Sequence, residues 1–227
     1  LRVGVRDILG KDDIQATHRA LANVAEVCVR RIAIFEYDKL AQKYGTPTIG
    51  PFNTPAEDEE TESWLRSKDG QKCEPIILAL GKVGGREPNY HSDLDLVFLY
   101  EAEGQTTATT RSAETTTNGH FFSEFGQRII RAAGRLGPYG RLFEIDMRLR
   151  PTGKSGILTV PVQAFERYFA GGGGQLWERQ ALCKARVIYG SPAAARRAMD
   201  AVAAAAFGPK WTTDDAREIR KMRSKLE

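Results

Sequence analysis

This 227-residue sequence has few cysteines, no long apolar run and only a small charge imbalance, and each of these features argues against a class of protein. Its three cysteines, Cys28, Cys73 and Cys183, are odd in number and widely spaced. This spacing argues against a disulfide scaffold or a zinc site and fits a reducing cytoplasm. No apolar run reaches the roughly 18 residues of a membrane span and no segment has the pattern of a signal peptide, so we expect no membrane association.

The charge balance is equally modest. The formal net charge is +4, and no dense block of lysine and arginine interleaved with aromatic residues occurs. Proteins that bind nucleic acid usually carry a stronger basic patch, so no nucleic-acid partner is expected. A small positive excess is still compatible with binding a polyphosphate.

The most informative stretch is a pair of predicted strands joined by a glycine-rich turn. Residues 76–80 form a continuous apolar run, which is typical of a strand buried on both faces. Glycines within residues 81–85 follow, and a second strand begins near residue 92. Since side chains alternate along a strand, Asp93 and Asp95 should share one face. The opposite face carries Leu94, Leu96 and Phe98, which we expect in the core.

Two carboxylates on one strand face repel each other unless a cation lies between them. Hard oxygen ligands favour Mg²⁺, and the nearby glycines allow a phosphate to approach the backbone closely. A later alternating strand adds a third acid, Asp146, on the same face as Glu144, Arg148 and Arg150. The simpler alternatives are a solvated acid pair and an exposed strand with cross-strand ion pairs.

These segments carry a resemblance to a known family. The sequences GKVGGRE (81–87), SDLDLVF (92–98), DMRLRPTGKSG (146–156) and WERQALCKARV (177–187) closely resemble glutamine synthetase adenylyltransferase. The similarity extends from about Ile76 to Pro192. One departure is Pro88, where the family usually carries leucine, and we expect it to stiffen the linker without altering the chemistry.

The resemblance implies an α+β fold with a polymerase-β-like nucleotidyltransferase domain. We predict a helical lead-in over residues 1–70, the catalytic domain over 71–190 and the start of a C-terminal helical bundle over 191–227. The charged helical pattern at the end suggests a piece of a longer protein. Residues 46–54 and 101–118 are predicted to be loops, and 175–188 a helix.

A long amphipathic helix is predicted from about Asp12, with a capping-box-like start, to Tyr44. Its apolar stripe would consist of Ile14, His18, Leu21, Ala25, Cys28, Ile32 and Phe35.

The resemblance also implies a metal-dependent reaction with ATP. Two Mg²⁺ ions, with Mn²⁺ as an alternative, would be held by Asp93, Asp95 and Asp146. The backbone amides of Gly84 and Gly85, together with Ser92, would hold the β- and γ-phosphates. Further cationic contacts to phosphate are expected from Lys82, Arg148, Arg150 and Lys154. Lys184 and Arg186 would lie near the cleft only if the resemblance holds.

The substrate implied is a tyrosine of glutamine synthetase, and residues 90–95 and 187–192 look more like the copy of the domain that adds AMP. The alternative is the copy that removes AMP by phosphorolysis. A third possibility is a catalytically silent module that binds a nucleotide or a PII-type signal protein, although three retained carboxylates argue against it. A template-free nucleic-acid polymerase of the same fold is disfavoured by the weak basic balance.

Overall fold

The computed structural model describes residues 1–50, 59–149, 156–172, 174–210 and 212–224, and these form a mixed sheet with helices on both faces. The predicted α+β class is confirmed. The helices are α1 (Arg2–Ile8), α2 (Ile14–Tyr44), α3 (Glu59–Lys68), α4 (Gly81–Gly84), α5 (Asn118–Gly134), α6 (Val162–Ala170), α7 (Leu176–Leu182), α8 (Pro192–Phe207) and α9 (Thr213–Arg223). The strands are β1 (Thr46–Ile49), β2 (Pro75–Ala79), β3 (Leu94–Tyr100), β4 (Gly104–Thr107), β5 (Ile145–Asp146), β6 (Thr159–Pro161) and β7 (Arg186–Tyr189).

Strand β3 lies at the centre of the main sheet. One edge pairs antiparallel with β2, which in turn pairs antiparallel with β7. The other edge pairs in parallel with two short strands, β5 at its beginning and β6 at its end. The order of the strands therefore brings β5 to the first residues of β3, where the predicted acids lie.

Both faces of β2 and β3 are buried, as the apolar run predicts. Leu94, Leu96 and Phe98 lie in a core shared with α2 and α5, as expected. Val97 and Leu99 face a second core, which is formed with α6 and α8. Because one core contains both α2 and the sheet, the lead-in helix packs directly on the sheet. The domain boundaries given in the sequence analysis remain a prediction.

Helix α2 ends at Tyr44 as predicted but begins one residue later, and its buried face overlaps the predicted stripe only in part, at Ala25 and the partly buried Ile32. Its N-cap is Asp13, whose carboxylate accepts the Ala16 N–H at 2.7 Å, while Asp12 binds Arg6 instead. The predicted stripe is wrong at its ends, since Ile14 and Phe35 are 69% and 59% exposed. The buried residues are Thr17, Ala22, Ala25, Val29, Ala33, Glu36, Tyr37, Leu40 and Tyr44. Of these, Ala25 and Ala33 lie in the core shared with the sheet and α5, and their small side chains let these elements approach the helix closely.

Three predicted segments, two loops and one helix, are corrected by pairing across the chain. The segments 46–54 and 101–118, predicted as loops, contribute β1 and β4, which form a separate antiparallel ribbon from Thr46–Thr107 to Ile49–Gly104. Residues 51–54 of the first predicted loop lie outside the described residues. The predicted helix over 175–188 stops at Leu182, and β7 follows because it adds to the edge of β2. Among the described residues, no helix is both long enough and apolar enough to cross a membrane.

Candidate active site

The acid Asp95 lies against the glycine turn at the beginning of β3. A Cβ placed on Gly81 would lie 2.1 Å from Asp95 Oδ2, and Gly81 has a φ of +52°. Both the close approach and the positive φ require glycine at this position. The Leu80 N–H donates to the Asp95 carbonyl at 2.9 Å, which fixes the turn to the strand.

The sheet brings Asp146 beside Asp95. Strand β5 pairs in parallel with β3 so that Asp95 and Asp146 are direct Cα partners. The Leu94 N–H donates to the Glu144 carbonyl at 2.9 Å and extends this pairing by one residue. Asp93 is exposed and directly precedes β3. Acids that are about fifty residues apart in the sequence thus meet at one end of β3.

The pKa of Asp95 reflects its burial and the charges of its two acidic neighbours. Burial raises the pKa of Asp95 above its usual range, and the negative charges of Asp93 and then Asp146 raise the pKa further. Arg148 and Lys82 act in the opposite direction but do not cancel the effect. A carboxylate whose negative charge is poorly compensated in this way attracts a cation or a proton.

Arg148 folds back onto Asp146. Its Nε donates to Asp146 Oδ2 at 2.6 Å and its backbone N–H donates to Asp146 Oδ1 at 2.8 Å. A second guanidinium nitrogen also pairs with this carboxylate, and the interaction raises the pKa of Arg148. The predicted alternating strand is therefore wrong beyond Asp146: β5 has only two residues, and Arg148 does not extend from a continuous strand face.

The glycine turn differs in one respect from its prediction. The amides of Gly84 and Gly85, predicted as phosphate donors, donate to the carbonyls of Leu80 and Gly81 at 2.8 and 3.1 Å, since residues 81–84 form one helical turn. A Cβ on Gly84 would lie 2.2 Å from the Lys184 carbonyl. The requirement for glycine at position 84 thus arises from close backbone packing.

The remaining predicted residues are Ser92, Lys82, Arg150 and Lys154. The Ser92 hydroxyl donates to Asn89 Oδ1 at 2.9 Å and accepts the Asn89 N–H at 3.0 Å, which closes the loop before Asp93. Lys82 is exposed on the turn, and its charge reaches Asp95. Arg150 and Lys154 lie outside the described residues.

Two residues given only a conditional role by the sequence do reach the turn. The Lys184 ammonium pairs with Glu87, and its Cδ would lie 3.3 Å from a Cβ on Gly85. Arg186 Nη2 donates to the Val83 carbonyl at 3.3 Å. A contact that the sequence did not indicate is the Tyr90 hydroxyl donating to Asp7 at 2.9 Å, because no local pattern connects α1 with this loop.

The donor set fits a hard divalent cation in chemical type but not yet in arrangement. Carboxylate oxygens are the ligands that Mg²⁺ and Mn²⁺ prefer. The raised pKa of Asp95 reflects its burial first and then the negative charges of Asp93 and Asp146. Within the described ranges, however, no group of three or more acids, histidines or cysteines is arranged to hold a metal ion. Asp146 would have to release Arg148 to act as a ligand beside Asp93 and Asp95.

A mixed sheet with these acids beside a glycine turn is consistent with an α+β domain of the nucleotidyltransferase type. Comparison with known proteins is more specific. The sequence model of the glutamate-ammonia ligase adenylyltransferase family matches residues 1–201, and this chain belongs to that family.

Curated relatives agree with this assignment. The chain is 34% identical over 202 residues to a bifunctional glutamine synthetase adenylyltransferase/adenylyl-removing enzyme of Thioalkalivibrio sulfidiphilus, covering 89% of this chain and 18% of the relative. Proteins of the same description from Pseudomonas putida and Pseudomonas aeruginosa are 34% and 33% identical over 86% and 100% of this chain, and over 18% and 21% of their own lengths. The chain thus spans about a fifth of these relatives.

Proposed function

We propose that this chain is a nucleotidyltransferase unit that transfers AMP from ATP to a tyrosine hydroxyl of glutamine synthetase. The observation that carries the proposal is the pairing of Asp95 with Asp146 beside Gly81, with Asp93 close enough to raise the pKa of Asp95. Membership of the adenylyltransferase family supports this reaction, and the names of the relatives supply the protein substrate. This regulation of glutamine synthetase would take place in the cytoplasm.

The proposed reaction forms a bond between the tyrosine oxygen and the α-phosphorus of ATP and breaks the bond from that phosphorus to the leaving pyrophosphate. The hydroxyl proton must leave, and a carboxylate oxygen of Asp146 is its proposed acceptor. An ordinary tyrosine has a pKa of about 10, so removal of this proton requires assistance near neutral pH. Asp146 can take this role once Arg148 turns away from it.

Two divalent ions, Mg²⁺ or Mn²⁺, are proposed at Asp93, Asp95 and Asp146. When bound, such ions neutralise the negative charge that develops on the attacking and leaving oxygens. The chain's own contribution is to bring three carboxylates to one end of β3, where burial and the charges of Asp93 and Asp146 raise the pKa of Asp95.

The phosphates are proposed to lie along the cationic side of the turn. Lys82 and Lys184 are exposed there, and Arg148 becomes available to phosphate oxygens when it leaves Asp146. Gly84 and Gly85 keep side chains out of the way, and Ser92 fixes the loop that presents Asp93. Arg150 and Lys154 remain candidates for further phosphate contacts.

Removal of AMP by phosphorolysis is the second candidate, because the relatives' names include an adenylyl-removing activity. It would use the same carboxylates with inorganic phosphate as the nucleophile. A silent module that binds a PII-type protein is less favoured, since the electrostatic strain around Asp95 would serve no purpose there.

The test uses the full-length protein, since this chain spans about a fifth of its relatives. Purified enzyme is mixed with unmodified glutamine synthetase, ATP labelled at the α-phosphorus and Mg²⁺, and label on the tyrosine is measured. A parallel reaction supplies AMP-modified glutamine synthetase and phosphate. Label transfer that disappears in Asp95→Asn supports the proposal. ADP formation in the second reaction alone, also dependent on Asp95, would favour the removing activity.

A further inference from the structure

The glycine turn beside Asp95 is held from outside the site by a chain of polar contacts that begins on α2. The guanidinium of Arg186, at the start of β7, pairs with Glu26 of α2 and donates to the Val83 carbonyl inside the turn. Glu26 and Arg186 are 160 residues apart in the sequence. We propose that Arg186, oriented by Glu26, is a positioning residue that sets the shape of the Gly81–Gly84 turn and of the loop leading to Asp93.

The contact is built for orientation, because both charged side chains are largely withdrawn from water. The Glu26 side chain is 12% exposed and that of Arg186 is 24% exposed. The Nε of Arg186 is buried without a hydrogen-bond partner among the described residues. Leaving a buried donor unpaired is unfavourable, so the guanidinium is held for the contacts of its other two nitrogens.

The contact between Arg186 and Val83 also lies next to a strained part of the backbone. The Val83 carbonyl that accepts from Arg186 also accepts the Arg86 N–H at 3.2 Å. Arg86 has a φ of +58°, a left-handed conformation that residues other than glycine rarely adopt. Such strain persists only where neighbouring contacts maintain it. Arg86 begins the segment that joins the turn to Asp93, so we expect a change at Val83 to affect this segment.

The other side of the turn has no room to compensate. A Cβ on Gly84 would lie 2.2 Å from the Lys184 carbonyl, and one on Gly81 would lie 2.1 Å from Asp95 Oδ2. The turn is thus packed between the segment leading into β7 and the carboxylate of β3. A shift of the Arg186 contact is transmitted to the carboxylate side, because tightly packed backbone does not deform independently.

Arg30 provides a matched control because it shares the same acid without touching the turn. Its guanidinium pairs with Glu26 Oε1 at 2.7 Å, and its Nε donates to the Ile188 carbonyl at 2.6 Å, farther along β7. Arg30→Met and Arg186→Met each leave Glu26 with one arginine. A role in stability alone predicts the same consequences for both variants, whereas a positioning role predicts a difference.

Two measurements test the inference: amide exchange, which does not depend on the proposed function, and the kinetics of AMP transfer, which rests on it. Hydrogen–deuterium exchange of the peptides covering 81–93 is measured in the full-length protein for wild type, Arg186→Met and Arg30→Met. We expect exchange about fivefold or more faster in Arg186→Met alone, since local opening follows the loss of local contacts. The kcat for AMP transfer should fall about tenfold or more in Arg186→Met, because small misplacements of reacting groups are costly. The KM of Arg186→Met for ATP should stay within about twofold of wild type. The kcat of Arg30→Met should also stay within about twofold of wild type.

Unchanged exchange over 81–93 in Arg186→Met, or an equal increase in Arg30→Met, would overturn the positioning role. Absence of AMP transfer in the wild type would contradict the proposed function, while the exchange arm would still decide the inference. If Arg186→Met does not fold, Glu26→Gln replaces it. That variant retains the Arg186 side chain but removes the negative charge of Glu26 that orients it. Faster exchange over 81–93 is again the expected result.

Discussion

Two carboxylates in this molecule, Asp95 and Glu124, differ in the charged side chains that surround them. Asp95 lies near the acids Asp93 and Asp146, whereas Glu124 lies near the cations Arg128 and Lys43. Glu124 on α5 accepts both Nε and Nη2 of Arg128 at 3.0 and 2.7 Å and the Tyr44 hydroxyl at 2.8 Å. Burial raises the pKa of Glu124, but these hydrogen bonds and the charges of Arg128 and Lys43 outweigh it, and the pKa is lowered. At Asp95 the neighbouring acids add to the effect of burial, and the pKa is raised.

The difference distinguishes a carboxylate that stabilises the fold from one to which we assign a role in the proposed reaction. Around Glu124 the opposite charges are already in contact, so the group contributes to stability in the folded chain itself. Around Asp95 compensation is incomplete, and the fold tolerates repulsion that a bound cation would relieve. Proteins often retain such unfavourable arrangements at functional sites.

The largest expected contrast is in activity. Asp95→Asn should lower AMP transfer by about a thousandfold or more, equivalent to ~4 kcal/mol of transition-state stabilisation, because it removes one of the central carboxylates. Glu124→Gln should stay within a few-fold of wild type, because the contacts of its carboxylate among the described residues are with α2 and α5. Transfer of labelled AMP by full-length variants measures both. A residual rate above about a tenth in Asp95→Asn would remove that residue from the catalytic role.

Within the Asp95 group, Asp146 and Arg148 should differ in the step that they affect. Asp146→Asn should lower kcat about a hundredfold while ATP affinity stays within a few-fold, because proton acceptance matters only as the tyrosine attacks. Arg148→Ala should mainly weaken ATP binding, by about tenfold, through loss of a charged hydrogen bond to phosphate. Saturation kinetics and calorimetry on both variants provide the comparison. Loss of ATP binding with normal turnover in Asp146→Asn would place Asp146 on the phosphate side.

Stability should show the reverse contrast. Arg128→Met removes charged hydrogen bonds to Glu124 and Glu36 and should lower the free energy of unfolding by about 1–3 kcal/mol. Its AMP transfer at a temperature where it is folded should remain near wild type. Chemical denaturation with a common m-value measures the loss. An unchanged midpoint would show that this cluster is not the stabilising counterpart of the site.

The smallest effect expected is a pH dependence of opposite sign at the two acids. Since the folded-state pKa of Asp95 is raised, wild type loses stability relative to Asp95→Asn as the pH rises through that pKa, and the two should converge in acid. Since the pKa of Glu124 is lowered, its stabilisation is present above the ordinary carboxylate pKa and is lost as the pH falls through the folded pKa. Asp95→Asn should melt about 1–3 °C higher at neutral pH, and Glu124→Gln should melt lower. Differences of the same sign would contradict the comparison.

The parts of the fold and site that were predictable are those encoded by local patterns. The continuous apolar run gives β2, and alternation around Asp93 and Asp95 gives the beginning of β3. The third acid was found through the motif that contains Asp146, although its strand is only two residues long. These features depend on few neighbours, so the sequence alone suffices to locate them.

The features that were missed depend on residues far apart in the chain. Strand β7 forms because it can pair with β2, and β1 with β4 because threonine-rich segments meet across the fold. The buried face of α2 is decided by the elements that cover it, so Phe35 is exposed while Glu36 is buried. The return of Arg148 to Asp146 is different, because these residues are only two apart: β5 ends at Asp146, so the alternating face that the pattern predicts does not continue to Arg148.

We expect the group formed by Asp93, Asp95 and Asp146 to require a cation that the chain itself does not supply. Calorimetric titration of ATP into the full-length protein, first in EDTA and then with excess Mg²⁺, tests it directly, with Asp95→Asn as the comparison. We expect wild type to bind ATP at least about tenfold more tightly with Mg²⁺, because the three carboxylates otherwise repel the phosphates. In Asp95→Asn this dependence should be much smaller. Equal affinity of wild type in EDTA and in Mg²⁺ would contradict the account.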